Sequence, residues 1–287
     1  MTRTDEQLDE IKINQSILLG LLDRKNTSRR IQDHEFKIFS QSGEDGILQF
    51  LTRVIPIPKK TFIEFGVEDF FESNCRLLLM KDNWSGFVMD GSARNVERIR
   101  GSYFFWKYEL TATQRFITKD NINELLESSG FGEDVGVLSI DLDGNDYHVL
   151  SAITSIRPRI LVCEYNAVFG IGRKISTPYV DDFNRTRHHH SNLYFGASLS
   201  AVTQLANRKG YTLVGTNSLC SNAFFVRDDL VNDQVEALTA GEAFAPSKVR
   251  ESRDEKGHLT FLTGAARLEA IRGLPVVNVE TGEIEAL

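Results

Sequence analysis

The sequence predicts an α/β fold built on a mostly parallel β-sheet, with helices on both faces and an antiparallel edge strand. From residue 36 onwards, short and nearly continuous apolar runs alternate with helical stretches. Such strands are typical of parallel sheets that are covered on both faces. The last two strand-like runs, 211–216 and 223–227, lie too close together for a helical crossover, so this pair is expected to be antiparallel.

The composition indicates a globular protein and excludes several classes. Lys plus Arg number 33 and Asp plus Glu number 40, a net charge of −7 that disfavours non-specific binding to nucleic acid or anionic membranes. Cys75, Cys163 and Cys220 lie far apart, which predicts neither a disulfide framework nor a structural zinc site. No signal peptide is recognisable, and no apolar run approaches the roughly 20 residues of a membrane span. We therefore expect a cytoplasmic protein.

The first 35 residues predict a helix with an apolar stripe. Leu8, Ile11, Gln15, Leu18 and Leu22 follow the alternating 3,4 spacing of a heptad pattern, with one polar interruption. Two interpretations stay open at this stage. The stripe either packs on its own domain or pairs two subunits as a homodimer.

The remaining elements follow in order along the chain. Gly101 is the predicted C-terminal end of the helix 93–101, and Thr118 or Asp120 is the predicted N-cap of the helix 118–130. The predicted strands are 59–65, 86–90, one within 103–117, 135–141, 159–165, 211–216 and 223–227, and the predicted helices are 73–80, 93–101, 118–130, 146–154 and 198–210. The resulting domain plan is an N-terminal helix (1–35), an α/β domain (36–230) with an insertion (167–195), and a C-terminal appendage (231–287).

An acidic residue stands at the end of four predicted strands. These residues are Glu64, Asp90, Asp141 and Glu164. Ligands of open α/β sheets bind at the carboxyl ends of the strands, so the pattern predicts a ligand site along that edge.

The spacing of these acids favours a nucleoside ligand. Asp90 follows the first acid by about 25 residues, as does the acid that binds ribose hydroxyls in Rossmann-type sites. A dinucleotide would prefer a GxGxxG loop, whereas here Glu68 and Asp69 would repel phosphate. A nucleoside with a positive sulfonium and an amino group suits this loop better, which points to S-adenosylmethionine.

At this point the chain resembles the FkbM-like branch of the S-adenosylmethionine-dependent methyltransferases. The resemblance covers roughly residues 40–227 and rests on SQSGEDG (40–46), TFIEFGVEDFFESN (61–74), GFVMDGS (86–92), VGVLSIDLDGNDYHVLSAI (135–153) and RPRILVCEY (157–165). It implies a Rossmann-like class I methyltransferase sheet and a cofactor site. The cofactor-binding residues that it implies are Glu64, Gly66, Asp90, Gly91, Ser92 and Asp141.

One departure from the family pattern lies in the first motif. Glu68 and Phe70 stand where small residues often occur. The departure bears on how closely the methionine part of the cofactor approaches the loop, and it leaves a catalytically silent cofactor- or glycan-binding relative as an alternative.

A metal site is a second possibility at the same edge. Asp141, Glu164 and Asn166 follow adjacent strands, and three oxygen ligands with open positions suit Mg²⁺. The arrangement is similar to that of metal-dependent O-methyltransferases, in which the ion acidifies the acceptor hydroxyl. Alternatively, Asp141 contacts the cofactor or caps a helix, and Glu164 pairs with an arginine.

The insertion is the predicted acceptor-binding segment. It contains His188, His189 and His190, any of which is a candidate general base near neutral pH, although a solvated loop is the alternative. Its other polar side chains suit a sugar, a glycan or another small polyhydroxylated acceptor: Tyr179, Asp181, Asp182, Arg185 and Arg187. The expected activity is O-methylation.

A rival interpretation rests on Asp141 and Asp143. An apolar strand that ends in DxDG resembles the nucleophile motif of haloacid dehalogenase-type phosphatases. That motif belongs on an early strand, whereas three predicted strands precede it here. The phosphatase is therefore the weaker alternative.

Overall fold

The computed structural model describes residues 3–287 and contains two β-sheets. The strands are β1 (Thr61–Phe65), β2 (Ser85–Asp90), β3 (Leu110–Gln114), β4 (Val137–Ile140), β5 (Ile160–Glu164), β6 (Ile175–Ser176), β7 (Tyr211–Thr216), β8 (Asn222–Arg227), β9 (Pro275–Asn278) and β10 (Ile284–Ala286). The helices are α1 (Arg3–Asp23), α2 (Glu44–Val54), α3 (Arg76–Asp82), α4 (Ala93–Arg100), α5 (Tyr103–Lys107), α6 (Ile122–Glu127), α7 (Asp146–Ala152), α8 (Arg185–His188), α9 (Leu199–Arg208), α10 (Ala240–Ala243) and α11 (Ala265–Glu269).

The larger sheet confirms the predicted fold class. Its strand order is β3-β2-β1-β4-β5-β8-β7. The first five strands in this order are parallel, whereas β8 is antiparallel to both β5 and β7. This is the order and direction expected of a class I methyltransferase sheet. The antiparallel pair β7–β8 lies at the predicted edge. β7 is the edge strand, and β8, which runs antiparallel to its neighbours, lies between β7 and β5.

Both faces of this sheet are buried, as the apolar strands predict. Side chains alternate across a strand, so Phe62 lies on one face of β1 and Ile63 and Phe65 lie on the other. Helices α6, α7 and α9 cover the face of Ile63, and α2, α3 and α4 cover the face of Phe62. Two apolar cores therefore hold the sheet rigid between them, and its carboxyl edge becomes a fixed platform.

The segment between β2 and β4 differs from the prediction at two points. Residues 103–117 contain the short helix α5 before β3 begins at Leu110. The N-cap of α6 is Asn121, so the prediction of Thr118 or Asp120 is wrong. The Asn121 side chain accepts a hydrogen bond from the Thr118 N–H and donates one to the Phe116 carbonyl, which builds a turn before the helix starts.

Helix α1 contacts the α/β domain through one face only. Asp9 and Ser16 are buried on that face, with Asp9 4% exposed. The apolar stripe that the sequence singled out lies on the other face, where Leu8, Ile11, Leu18 and Leu22 are each more than half exposed. The heptad spacing therefore does not describe the packing of α1 on its own domain.

The smaller sheet joins the insertion to the C-terminal residues. Its order is β10-β9-β6, and β6 belongs to the insertion. A separate apolar cluster lies beside it and includes Ile175, Tyr194 and Val276. Residues 265–287 are thus packed against the insertion. Over residues 3–287, none of the helices has the length and apolar character that crossing a membrane requires.

Candidate functional site

The site lies where the strand order of the larger sheet reverses. β1 has β2 on one side and β4 on the other, so the connections leave in opposite directions from this point. Such a switch point opens a crevice at the carboxyl ends of the strands, where ligands of α/β proteins bind. A cavity of about 260 Å³ lies there, lined by the ends of β1 and β5 and by the loop after β4.

Acidic side chains dominate the lining of this cavity, which we call the acidic cavity. Arg185 of α8 is the one basic residue among the lining residues that the structure describes. Its guanidinium lies over the Phe195 ring at 3.9 Å, and its Nε donates to the Asn192 carbonyl at 2.6 Å. The carboxylates that line the cavity are those of Glu64, Glu68, Glu72, Asp141, Asp143 and Glu164. Six carboxyl groups, some buried and some exposed, therefore face one basic residue in this cavity.

Glu64 organises the wall formed by the segment after β1. Its carboxylate accepts hydrogen bonds from the Ser73 hydroxyl at 2.5 Å and from the Asn74 and Cys75 N–H groups. Burial raises the pKa of Glu64 to about 7, although these three donors favour the charged form. The side chain is therefore both a structural anchor and a titrating group near neutral pH.

The loop after β1 keeps a glycine-like backbone despite its unusual sequence. Gly66 has φ +66°, and a Cβ at this position would lie 1.7 Å from the Asp141 carbonyl oxygen, so only glycine fits. Glu68 and Phe70, where small residues often occur, also have positive φ, at 47° and 64°. Left-handed backbone is uncommon outside glycine and concentrates at functional sites. The loop therefore has three residues in the left-handed region, two of which are not glycine.

Asp90 lies at a second, smaller cavity of about 100 Å³ that shares Gly66 with the first. Its Oδ1 accepts from the Ser92 N–H at 2.7 Å, and its Oδ2 accepts from the Glu68 N–H at 3.0 Å. Gly91 lines the cavity, and the Ser92 hydroxyl accepts from the Asn95 N–H at the start of α4. Phe116 and Phe183 supply aromatic surface. We call this space the aromatic cavity.

Three carboxylates meet in the acidic cavity. Asp141, Asp143 and Glu164 each offer an oxygen, and these oxygens lie within 4.8 Å of one another. Burial, followed by the charges of Asp143 and Asp146, holds the pKa of Asp141 well above its ordinary value. Burial and the charge of Asp141 raise the pKa of Glu164 in the same way.

Asp146 fixes the loop that carries two of these groups. Its Oδ1 accepts from the Leu142 N–H at 2.7 Å, and its Oδ2 accepts from the Gly144 N–H at 3.0 Å. Asp143 between them has φ +53°. Asp143 is thus directed into the cavity by a turn that Asp146 stabilises.

Two acids of the motif SQSGEDG (40–46), Glu44 and Asp45, hold the segments that surround the acidic cavity. Asp45 Oδ2 accepts from the N–H groups of Ile38, Phe39 and Ser40, each at 2.7 Å. Glu44 Oε1 accepts from the side-chain amides of Asn217 at 2.7 Å and Asn222 at 3.0 Å. Both acids are almost fully buried and shape the site without lining the acidic cavity themselves.

Asn222 was not singled out by the sequence analysis and lines the acidic cavity. It lies directly opposite Glu164 in the β5–β8 register. Its amide nitrogen donates to Glu44, whereas its Oδ1 has no hydrogen-bond partner and the side chain is 5% exposed. No local sequence signal marks this residue, because its position depends on pairing between distant strands.

The side chain of Asn166 is occupied by hydrogen bonds to the backbone of the insertion. Its amide nitrogen donates to the Leu193 and Phe195 carbonyls, and its Oδ1 accepts from the Val168 N–H. All of its polar atoms therefore hold the start of the insertion in place. Asp143, considered from the sequence only within the DxDG motif, lies beside Asp141 and Glu164 instead.

The three histidines lie on the insertion, and none of them lines either cavity. The His188 ring stacks on Phe183 with centroids 4.1 Å apart. His189 Nδ1 lies 2.7 Å from the Ser191 hydroxyl, and burial together with His190 lowers the pKa of His189. Arg185, the first residue of α8, lines the acidic cavity instead.

Comparisons with known proteins give structural likenesses only. No family model matches the chain, and no curated protein matches it. The N-terminal domain of EvdMO1 with SAH bound has 11% identity and a TM-score of 0.42, with 66% of this chain and 80% of that chain covered. The O-methyltransferase from Bacillus cereus in complex with SAH has 10% identity and a TM-score of 0.40, with 78% and 96% covered. A SAM-dependent methyltransferase from Aquifex aeolicus has 8% identity and a TM-score of 0.36, with 63% and 89% covered. All three TM-scores lie below 0.5, so these likenesses assign no function.

Proposed function

We propose that the chain is an S-adenosylmethionine-dependent methyltransferase of the FkbM-like type, which methylates an oxygen of a sugar, a glycan or another small polyhydroxylated acceptor. The observation that supports this most directly is the pair of cavities that meet at Gly66 on the switch point. One is aromatic and contains the Asp90 carboxylate, and the other is acidic. This combination suits a nucleoside joined to a positively charged chain.

The aromatic cavity would hold the adenosine part of the cofactor. Asp90 offers a carboxylate for the ribose hydroxyls, and Phe116 and Phe183 offer apolar surface for the base. The acidic cavity would hold the methionine part. Glu64 and Asp141 lie there and favour a sulfonium and an ammonium group electrostatically, while the same charges disfavour phosphate.

The acceptor would bind on the insertion side of the acidic cavity. Arg185 and Asp143 lie there 3.5 Å apart and supply a donor and an acceptor of hydrogen bonds for neighbouring hydroxyls. In the reaction, the acceptor oxygen attacks the sulfonium methyl, the C–S bond breaks, and the hydroxyl proton leaves to a base. The sequence-based assignment of that base to His188, His189 or His190 stays a prediction.

Binding of the cofactor product tests the proposal directly. Calorimetry with S-adenosylhomocysteine should show one site per chain, and ATP should not bind because its phosphates meet the acidic wall. Tight binding of ATP, or no binding of S-adenosylhomocysteine, would contradict the cofactor assignment. Transfer of labelled methyl to a panel of sugars and glycans would then identify the acceptor.

A second copy of the chain is the partner that we propose for the outer face of α1. Leu8, Ile11, Leu18 and Leu22 form an exposed apolar stripe on this face. Exposed acid lies near its start, at Glu10, and exposed base follows its end, at Arg24 and Lys25. An antiparallel pairing about a twofold axis brings each acidic end towards the basic end of the other copy and buries both stripes.

A further inference from the structure

We propose that the acidic cavity contains a binding site for a divalent metal ion, formed by the carboxylates of Asp141, Asp143 and Glu164. The three offered oxygens lie within 4.8 Å of one another, so one ion can contact all of them. Oxygen-only ligands favour a hard cation such as Mg²⁺ or Mn²⁺. Asp143 replaces Asn166 in the set that the sequence analysis considered.

Glu164 provides an observation that is independent of the clustering. Its side chain is 8% exposed, and its Oε2 is buried without any hydrogen-bond partner. Burying a carboxylate oxygen without a donor is costly, and native proteins seldom leave such a group unsatisfied. Arg185, the basic residue that lines the cavity, forms an ion pair with Asp143 at 3.5 Å and makes no hydrogen bond to the Glu164 Oε2. A cation at the cluster would satisfy the orphaned oxygen.

Asn222 points to the same place from another strand. Its unpartnered Oδ1 belongs to a side chain that lines the cavity opposite Glu164. Glu44 accepts from the amide nitrogen at 3.0 Å, which fixes the orientation of the amide and leaves its oxygen free. This neutral oxygen is available to a cation in the cavity and carries no charge. Glu44 orients the Asn222 amide from outside the cluster, and residues that orient ligands in this way are typical of metal sites.

The binding site does not depend on the proposed function, whereas its chemical consequence does. An acceptor hydroxyl that contacts the ion would become more acidic, so a modest base would suffice to remove its proton. Arg185 would then stand beside the ion as a donor to the acceptor.

Binding of Mn²⁺ alone, without cofactor or acceptor, tests the site. A titration with Mn²⁺ at fixed ionic strength, monitored by electron paramagnetic resonance, should show one bound Mn²⁺ per chain. Asp143→Asn should weaken the binding by more than about tenfold, because it removes an exposed ligand without disturbing a buried contact. Glu72→Gln is the matched control, since Glu72 lines the same cavity outside the cluster and should leave the affinity unchanged.

Two results would overturn the proposal. One is the absence of Mn²⁺ binding at millimolar concentration in the folded wild-type protein. The other is an equal loss of affinity in Asp143→Asn and Glu72→Gln, which would indicate general attraction to an acidic surface. Calorimetry with S-adenosylhomocysteine on the same samples separates the two proposals, because a protein that binds Mn²⁺ but not the nucleoside contradicts only the proposed function.

Discussion

Asp9 of α1 and Arg76 of α3 form an ion pair of 2.6 Å whose side chains are 6% and 1% exposed. The Tyr103 hydroxyl also donates to Asp9, at 2.8 Å. The Arg76 guanidinium lies near three aromatic rings, those of Phe39, Phe71 and Phe104. Helix α1 is therefore held to the domain by a buried charge pair, which leaves its apolar stripe facing outwards.

Removing one partner of this pair should destabilise the protein strongly. We expect Asp9→Ala to lower the free energy of unfolding by about 3–5 kcal/mol, because the Arg76 charge remains buried without a partner. The double variant Asp9→Ala, Arg76→Met should recover much of the loss. Urea denaturation of the wild type, the single variant and the double variant measures the free energy of unfolding of each. Glu269→Ala, which breaks the exposed pair with Arg272, is the control and should change little. A single variant as stable as the wild type would show that the pair is not needed.

Polar substitutions on the outer face of α1 should prevent dimer formation. We expect Ile11→Gln and Leu18→Gln to give monomers in sedimentation velocity, because both residues lie on the exposed stripe. Leu259→Gln changes an exposed leucine elsewhere and should leave the mass of the particle unchanged. Deleting residues 1–30 would also remove Asp9 and its buried pair with Arg76, so loss of the dimer could not be separated from loss of stability. Equal masses for the wild type and both stripe variants would assign the stripe no role in self-association.

Asp90→Ala should weaken cofactor binding. Loss of a charge-assisted hydrogen-bond acceptor for the ribose hydroxyls is worth roughly 1.5–3 kcal/mol, which corresponds to about tenfold to a hundredfold in affinity. Asn95→Ala is the matched control, because it removes a 3.2 Å donor to Asp90 and keeps the carboxylate. Calorimetry with S-adenosylhomocysteine compares the two. An unchanged affinity in a folded Asp90→Ala protein would remove Asp90 from the cofactor site.

Alanine substitutions at the three histidines test the general base. We expect one of His188→Ala, His189→Ala and His190→Ala to lose most of its turnover if the base is among them, and turnover within a few-fold of the wild type in all three would place the base elsewhere. None of the three rings lines the acidic or the aromatic cavity. A general base contributes about 10²–10⁴ in rate, which makes the distinction clear. A loss of that size in one variant, with unchanged affinity for S-adenosylhomocysteine, would identify that histidine as the base.

The stability of the protein should depend on pH through Glu64. Its pKa is about 7 in the folded protein and 4.5 in its ordinary state, so the folded chain binds more protons between these values. The contribution of this group to the free energy of unfolding is therefore largest below about pH 4.5 and falls as the pH rises to about 7. We expect Glu64→Gln to make the pH dependence less steep over this interval in urea denaturation. The same slope in both proteins would place the pKa of Glu64 near its ordinary value.

The sequence predicts the sheet well because the evidence for it is local. Apolar runs mark the strands, and the short connection between β7 and β8 marks the antiparallel pair. The acids at strand ends come together as the parallel strands imply, since Glu64, Asp141 and Glu164 line one cavity.

Features that depend on distant contacts escape the sequence. Asn222 lies opposite Glu164 only because β5 and β8 pair, and β8 is 58 positions further along the chain (222 − 164 = 58). Asn166 looks like a ligand from its place after β5, yet the backbone of the insertion occupies its polar atoms. The outward direction of the α1 stripe depends on the buried partner that Asp9 finds in α3.

The small sheet has a consequence for how the protein is made. A nascent chain that has left the ribosome as far as residue 230 contains every strand of the large sheet and both loops around Asp90. The insertion, however, acquires its β-partner only when β9 is synthesised. Asn192, whose carbonyl accepts from Arg185, donates through its side-chain amide to Glu251. Because domains form from the N-terminus during synthesis, the part of the site around Asp90 should form first and the part around Arg185 last.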